Sequence, residues 1–105
     1  MKVDSFRDFV LDQLSDLDGV TCRAMFGGHG LYLEKFFFGI VYEGRLYFKT
    51  DEVSRIEYER RGMKPFQPSE RQTMKYHEVP PDVIESRDEI LVWAQQAIQI
   101  ARHAK

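Results

Sequence analysis

The sequence has 105 residues and a mass of 12.4 kDa, which suffices for one compact domain over residues 1–105 and not for two. Apolar residues make up 43% and aromatic residues 13% of the chain, which excludes a disordered protein, and the 30% of charged residues excludes a membrane-embedded one. The formal net charge of -2 argues against a general nucleic-acid coat protein, so any DNA contact must be local.

The first predicted element is an amphipathic helix over residues 4–17, which Asp18-Gly19 ends. Apolar side chains recur at helical spacing on one side: Val3, Phe6, Val10, Leu14 and Leu17. Aspartates at positions 4, 8, 12 and 16 form the other side, a pattern typical of a solvated face that also permits a basic partner. These aspartates interrupt the apolar run of an export signal, and the single cysteine, Cys22, favours a reduced compartment, so a cytoplasmic location is expected.

Four strands are predicted next, over residues 20–25, 31–34, 36–42 and 45–49. The glycine-rich stretch Phe26-Gly27-Gly28-His29-Gly30 predicts a turn between the first two strands, and Glu43-Gly44 predicts a tight hairpin between the last two. Strict alternation along the third strand predicts two faces, one with Phe36, Phe38, Ile40 and Tyr42 and the other with Phe37, Gly39 and Val41.

The next segment predicts a second helix and a fifth strand. Asp51 can cap a helix that runs to about residue 61, with Val53 and Ile56 facing inward and Gly62 just past its end. A strand is predicted over residues 73–79, where Pro80-Pro81 stops it. The connection between the two is expected to be irregular, because it contains Pro65, Phe66 and Pro68.

A long last helix begins at Ser86 and Glu89, which match the S-x-x-E capping box. Its apolar stripe is broad and comprises Ile90, Ala94, Ala97, Ile98 and Ala101, widened by Leu91 and Trp93. Such a stripe is either buried in the chain's own core or shared with a second copy, so monomer and homodimer stay open. The predicted order is α-β-β-β-β-α-β-α, an α+β two-layer sandwich with an antiparallel sheet and helices packed on one face.

The glycine-rich stretch is the most unusual local feature, because three glycines in four positions allow close backbone approach. Its spacing matches neither GxxxxGK[ST] nor GxGxxG, and a predicted strand follows it instead of a helix. A structural turn is therefore the main interpretation. An anion-binding loop, with Arg23 or Lys49 as the counter-charge, is the alternative.

Catalytic and metal chemistry have little support in the sequence. Cys22 lies in a predicted strand and is expected to be a small apolar filler, not a nucleophile paired with a histidine. The histidines at positions 29, 77 and 103 lack the short paired spacings of metal ligands. We expect no enzyme activity, no metal and no cofactor.

Nucleic-acid binding is expected to be weak if it is present at all. Residues 45–75 hold eight bases and five acids, a small excess beside the ~6–10 phosphate contacts of a strong DNA binder. The many strand aromatics suggest stacking on RNA bases, but the basic-aromatic consensus of RNA-binding sheets is absent.

A series of motifs spanning most of the chain resembles the TfoX/Sxy N-terminal domain family. The opening signature is Arg23-Ala24-Met25-Phe26-Gly27-Gly28-His29-Gly30-Leu31-Tyr32. The later segments, in order, are Phe37-Phe38-Gly39-Ile40-Val41, Leu46-Tyr47-Phe48-Lys49, Gly62-x-x-Pro65-Phe66, Met74-x-Tyr76, Val79-Pro80 and Trp93-Ala94.

The resemblance implies a fold like that of secretion chaperones and a role related to regulators of natural competence, which act with the cyclic-AMP receptor protein. It implies no catalytic residues. Full-length competence regulators carry a further C-terminal helical domain that this sequence lacks, so the competence role itself is not implied.

We therefore expect a non-enzymatic cytoplasmic regulatory or adaptor domain whose partner is a protein such as a transcription regulator. Alternation places Arg45, Tyr47 and Lys49 on one face of their strand. The candidate binding residues are Arg23, Phe26, Gly27, Gly28, His29, Gly30, Tyr32, Arg45, Tyr47 and Lys49.

Overall fold

The computed structural model of the chain describes residues 2–25 and 27–104, with side chains from residue 5 onward. The predictions for Val3, for the Asp4 side chain and for Phe26 lie outside the described residues. The helices are α1 (Lys2–Gln13), α2 (Arg55–Arg60), α3 (Pro81–Glu85) and α4 (Arg87–His103). The strands are β1 (Val20–Met25), β2 (Gly28–Leu33), β3 (Phe36–Tyr42), β4 (Arg45–Lys49) and β5 (Tyr76–Glu78).

The five strands form one antiparallel sheet in chain order, and helices pack against it. This confirms the predicted α+β class and element order, to which the structure adds the short helix α3. Pro81 occupies the first turn of α3, where the missing N–H of proline removes no hydrogen bond.

The main core lies between the sheet and the helices. Helix α4 packs across β3 and β4, and α1 and α3 pack against α4. The predicted stripe of α4 is buried here, and the Ser86 hydroxyl accepts the Glu89 N–H at 3.2 Å, as the capping motif predicts. Since the chain's own sheet covers the stripe, it does not require a second copy. The largest fully buried side chains of this core are Tyr58, Phe38, Phe48, Leu14, Leu31, Leu46 and Ile90.

A second, smaller core covers part of the opposite face of the sheet. Its buried members are Ile40, Phe66 and Tyr76. The irregular segment over residues 63–75 crosses this face and is tied to β5, because the Phe66 N–H donates to the Tyr76 carbonyl at 2.7 Å. The same segment covers the outer edge of β5, which protects that edge from pairing with another strand.

A bulge between β2 and β3 corrects the predicted alternation of β3. Leu31 pairs with Gly39 but Tyr32 pairs with Phe37, so one residue of β3 is extra at this point. Beyond it the faces exchange, and Val41 joins Phe38 in the helix-side core while Ile40 lies on the opposite face. The predicted grouping of Phe38 with Ile40 is therefore wrong.

The prediction for α2 is also corrected. The helix is only six residues long, and its inward side chain is Tyr58. Val53 and Ile56, predicted to face inward, are 77% and 50% exposed. Asp51 does cap the chain here, but it caps the turn before α2, where its Oδ1 accepts the Ser54 N–H at 2.8 Å.

Other element ends shift for local reasons. Helix α1 ends at Gln13 instead of residue 17, and hydrogen-bonded turns occupy the residues that follow. Strand β5 keeps only three of the predicted residues, because residues 73–75 belong to the segment that folds over the sheet. Gly62 adopts a φ of +78°, which confirms its place just past a helix end. None of the helices in residues 2–25 and 27–104 combines the length and apolar character that a membrane crossing requires.

Candidate functional site

The predicted glycine-rich loop is mostly strand. Gly27 lies in the turn with a φ of +80°, whereas β2 already begins at Gly28. His29 and Gly30 pair with β1 on one side and with β3 on the other. Backbone groups of a central strand are engaged in the sheet, so this stretch is not the open cradle of amides that an anion would need.

Close packing explains why glycine stands at these positions. A Cβ atom on Gly28 would overlap the Val41 carbonyl oxygen. A Cβ atom on Gly30 would lie 2.8 Å from the Met25 Cε atom and 3.0 Å from the Phe37 ring. The geometry supports the structural interpretation of the glycines over the ligand-binding one.

His29 lies apart from the other candidate residues. Its Nε2 atom is 3.2 Å from the Arg7 Nη1 atom on α1, which places the ring on the helix side of the sheet. Since arginine can only donate, the imidazole accepts this hydrogen bond. His29 therefore joins a helix to the sheet.

Two of the other candidates, Arg23 and Lys49, end a continuous line of rings on the opposite face. The Arg23 guanidinium lies 4.9 Å from the Tyr32 ring centre, and Tyr32 stacks on Phe37 at 5.1 Å. Phe37 lies 5.1 Å from Tyr76, whose ring is in turn 5.1 Å from the Lys49 Nζ atom. We call these five residues, Arg23, Tyr32, Phe37, Tyr76 and Lys49, the cation–aromatic row.

The two ends of the row differ in their surroundings. Arg23 is exposed on the edge strand β1. Lys49 is half-buried. Burial is the main cause that lowers the pKa of Lys49, and the nearby charge of Lys75 is the second. Between them, the Tyr76 hydroxyl donates to the Phe37 carbonyl oxygen at 3.0 Å, and burial raises the pKa of Tyr76. Tyr76, in the middle of the row, is thus buried and hydrogen-bonded, and each end of the row carries a cation.

Arg45 and Tyr47 share the face of the row, as alternation predicts, but they lie outside it. The Arg45 guanidinium binds the Glu78 carboxylate at 2.8 Å, and this contact raises the pKa of Arg45. The Tyr47 ring packs on Phe66 at 4.8 Å, under the segment that crosses the sheet. Both side chains are therefore engaged within the chain.

A second cluster, around His77, has no counterpart in the sequence predictions. The His77 Nδ1 atom is 2.9 Å from the Thr50 hydroxyl, and its Nε2 atom is 3.5 Å from the Glu59 carboxylate. Burial lowers the pKa of His77, and the Glu59 carboxylate partly opposes that effect. Thr50 directly follows β4, Glu59 lies in α2 and His77 lies in β5. No local spacing in the sequence could therefore have indicated the cluster.

The cluster lines up a hydroxyl, an imidazole and a carboxylate, the groups of a hydrolase triad. However, Thr50 is 3% and His77 4% exposed, so little of the hydroxyl or of the ring reaches the surface. Cys22 is half-buried and packs against the helix-side core. Among the side chains that the structure describes, no three metal-ligating groups come together.

Comparison with known proteins identifies the family of the chain. The family model for the TfoX N-terminal domain matches residues 12–101. No curated protein matches the sequence.

Proposed function

The chain belongs to the TfoX N-terminal domain family, and on this basis we propose that it is a non-enzymatic regulatory or adaptor domain that acts through protein contacts. The proposed partner is a protein involved in transcription regulation, and the proposed location is the cytoplasm. The cation–aromatic row is the observation that carries this proposal, and it is the proposed contact surface.

The composition of the row favours a protein partner. Tyrosine, phenylalanine and arginine are enriched at protein interfaces, and the half-buried rings of Tyr32 and Phe37 offer contact area at a low entropy cost. Arg23 has no ion-pair partner among residues 5–25 and 27–104, so its charge is available to a partner's carboxylate. Its stacking on Tyr32 holds the guanidinium in place before binding.

Direct DNA binding has weaker support. Four arginines of the basic segment already bind carboxylates of the chain: Arg45 binds Glu78, Arg55 binds Glu59, Arg60 binds Glu57 and Arg61 binds Asp82. A phosphate backbone would have to compete with each of these contacts. If DNA were the partner, binding at low salt would be strong and would fall steeply as salt is added.

The test of the proposed surface is cross-linked affinity capture from cell extract, with the captured protein identified by mass spectrometry. Arg23→Ala and Lys49→Ala should each reduce capture of the same regulatory protein. The matched control is Lys35→Ala, because Lys35 also stacks on a ring, that of Phe36, but outside the row. Undiminished capture by both row variants, or equal loss in the control, would contradict the proposal.

Catalysis by the purified protein would contradict the proposal that the domain is non-enzymatic. The expected result is no turnover of any substrate. Turnover that disappears when Cys22 or His29 is replaced would show that the chain is an enzyme.

A further inference from the structure

A cavity of about 540 Å³ lies between the end of β4 and the last turn of α4. Its wall includes Lys49, Lys75, Asp51, Glu52 and His103. The volume is in the range of small-molecule sites, which usually measure ~300–1,000 Å³. Its charged groups divide into carboxylates that are already bound and ammonium groups that are not.

Both carboxylates in the wall have partners within the chain. The Asp51 carboxylate accepts hydrogen bonds from the Ser54 and Val53 N–H groups. These bonds lower the pKa of Asp51, and the bond from Ser54 has the larger effect. The Glu52 carboxylate lies 3.2 Å from the Arg55 guanidinium. The Asp51 carboxylate is held by its backbone hydrogen bonds, and the exposed Glu52 carboxylate is directed toward Arg55.

The two lysines have no such partners. Among the described side chains, neither Lys49 nor Lys75 takes part in an ion pair. Lys49 is held against the Tyr76 ring, which fixes its position at the cavity. Burial, and after it the proximity of Lys75, lowers the pKa of Lys49, so its ammonium form is less favourable. An anion between the two ammonium groups would remove this repulsion.

We infer that this cavity binds the phosphate or carboxylate group of a small anionic ligand between Lys49 and Lys75. The site replaces the glycine-rich stretch as the place for an anion, because the amides of that stretch are engaged in the sheet. It goes beyond the proposed protein contact and does not depend on it. Lys49 belongs to both surfaces, whereas Lys75 belongs only to the cavity and Arg23 only to the row.

The first test follows each lysine by NMR after reductive methylation with ¹³C-formaldehyde, which keeps the positive charge. Inorganic phosphate and succinate are titrated separately, with sodium chloride as the control for ionic strength. The signals of Lys49 and Lys75 should shift and saturate with at least one of the two anions, and the pKa of Lys49 should rise. The signals of Lys35 and Lys64 should move only as they do in sodium chloride. Equal, unsaturated shifts of all lysines would overturn the inference.

The second test compares variants by calorimetric titration with the anion that binds. Lys75→Gln should weaken binding roughly tenfold, as expected for the loss of one charge-assisted contact. Because Lys75 is exposed, this substitution should leave the fold intact, which circular dichroism checks. Lys35→Gln is the matched control and should bind as the parent protein does. Unchanged affinity in Lys75→Gln would overturn the inference, while retained partner capture by the same variant would leave the protein-contact proposal standing.

Discussion

Single side chains of this protein gain their properties from neighbours that are distant in the chain. His77 is the clearest example, because it is buried between Thr50 and Glu59, and its Nε2 atom, 3.5 Å from the Glu59 carboxylate, has no hydrogen-bond partner within residues 5–25 and 27–104. A buried imidazole without a good acceptor is destabilised when it takes up a proton. The pKa of His77 is accordingly below the ordinary value of 6.5.

This shift predicts that stability falls as the solution is acidified. The unfolded chain takes up the His77 proton near pH 6.5, whereas the folded chain does so only at lower pH. Between these two pH values the unfolded state binds more protons than the folded state. The stability that neutral His77 contributes is therefore complete above about pH 6.5 and is lost progressively below it. Urea unfolding between about pH 5 and about pH 7.5 measures the dependence.

The variant His77→Gln should flatten that pH dependence, because glutamine does not titrate. His103→Gln is the matched control, since it removes an imidazole at an exposed site on the last turn of α4. An equal slope in the parent protein and in His77→Gln would assign the pH dependence to other groups.

At the scale of elements, strand β2 depends on glycine for packing. Gly28 faces the Val41 carbonyl so closely that no side chain fits, and Gly30 leaves room for Met25 and Phe37. The turn glycine, Gly27, has open space around it but a positive φ. Two different physical reasons therefore retain glycine within one short stretch.

These two reasons predict different losses of folding stability when alanine replaces each glycine. Gly28→Ala should destabilise the protein by about 3 kcal/mol or more, because β2 and β3 must separate to admit the methyl group. Gly27→Ala should cost only about 1–2 kcal/mol, the penalty of a left-handed conformation. Chemical denaturation of both variants measures the difference. A larger loss in Gly27→Ala would show that the turn, not the close strand contact, is the sensitive feature.

At the scale of the whole molecule, the sheet has a core on each face. Helices cover one face, and the segment over residues 63–75 covers part of the other through Phe66. Phe66 packs on Tyr47 at 4.8 Å and edge-on against Tyr42 at 5.5 Å. The cation–aromatic row overlaps this second core, because Tyr76 is one of its buried members and Phe37 packs against it, while Arg23 and Tyr32 lie outside it.

Phe66→Ala should therefore cost about 3–5 kcal/mol, the usual loss for removing a buried aromatic ring. Hydrogen exchange should increase mainly in residues 63–75 and β5, because the helix-side core does not include Phe66. Phe66→Leu is the control and should recover most of the stability. A loss below about 1 kcal/mol, or faster exchange throughout the chain, would contradict the description of two separate cores.

The elements that were predicted correctly are specified by residues that lie close together in the sequence. The bounds of β3 and β4 agree with prediction because an aromatic and β-branched run, the Glu43-Gly44 turn and the following alternation all lie within fifteen residues. The capping of α4 by Ser86 depends on a residue three positions away. The family was also identified from the sequence, because its motifs occur in order along the chain.

The candidate site depended on contacts between segments, and sequence reasoning found only part of it. Arg23, Tyr32 and Lys49 were predicted, but Phe37 and Tyr76 complete the row only because the Tyr76 side chain contacts Phe37, although β4 lies between their two strands. The cluster of His77 with Thr50 and Glu59 was not predicted for the same reason.

Local propensity and the order of motifs along the chain were enough to predict the fold class, the order of the main elements and the family. Contacts between distant segments decide which face β3 presents after the bulge, why the glycines lie in a strand, and which two lysines border one cavity. These features depend on steric and electrostatic neighbours that are far apart in sequence, and a pattern read along one strand or helix does not contain them.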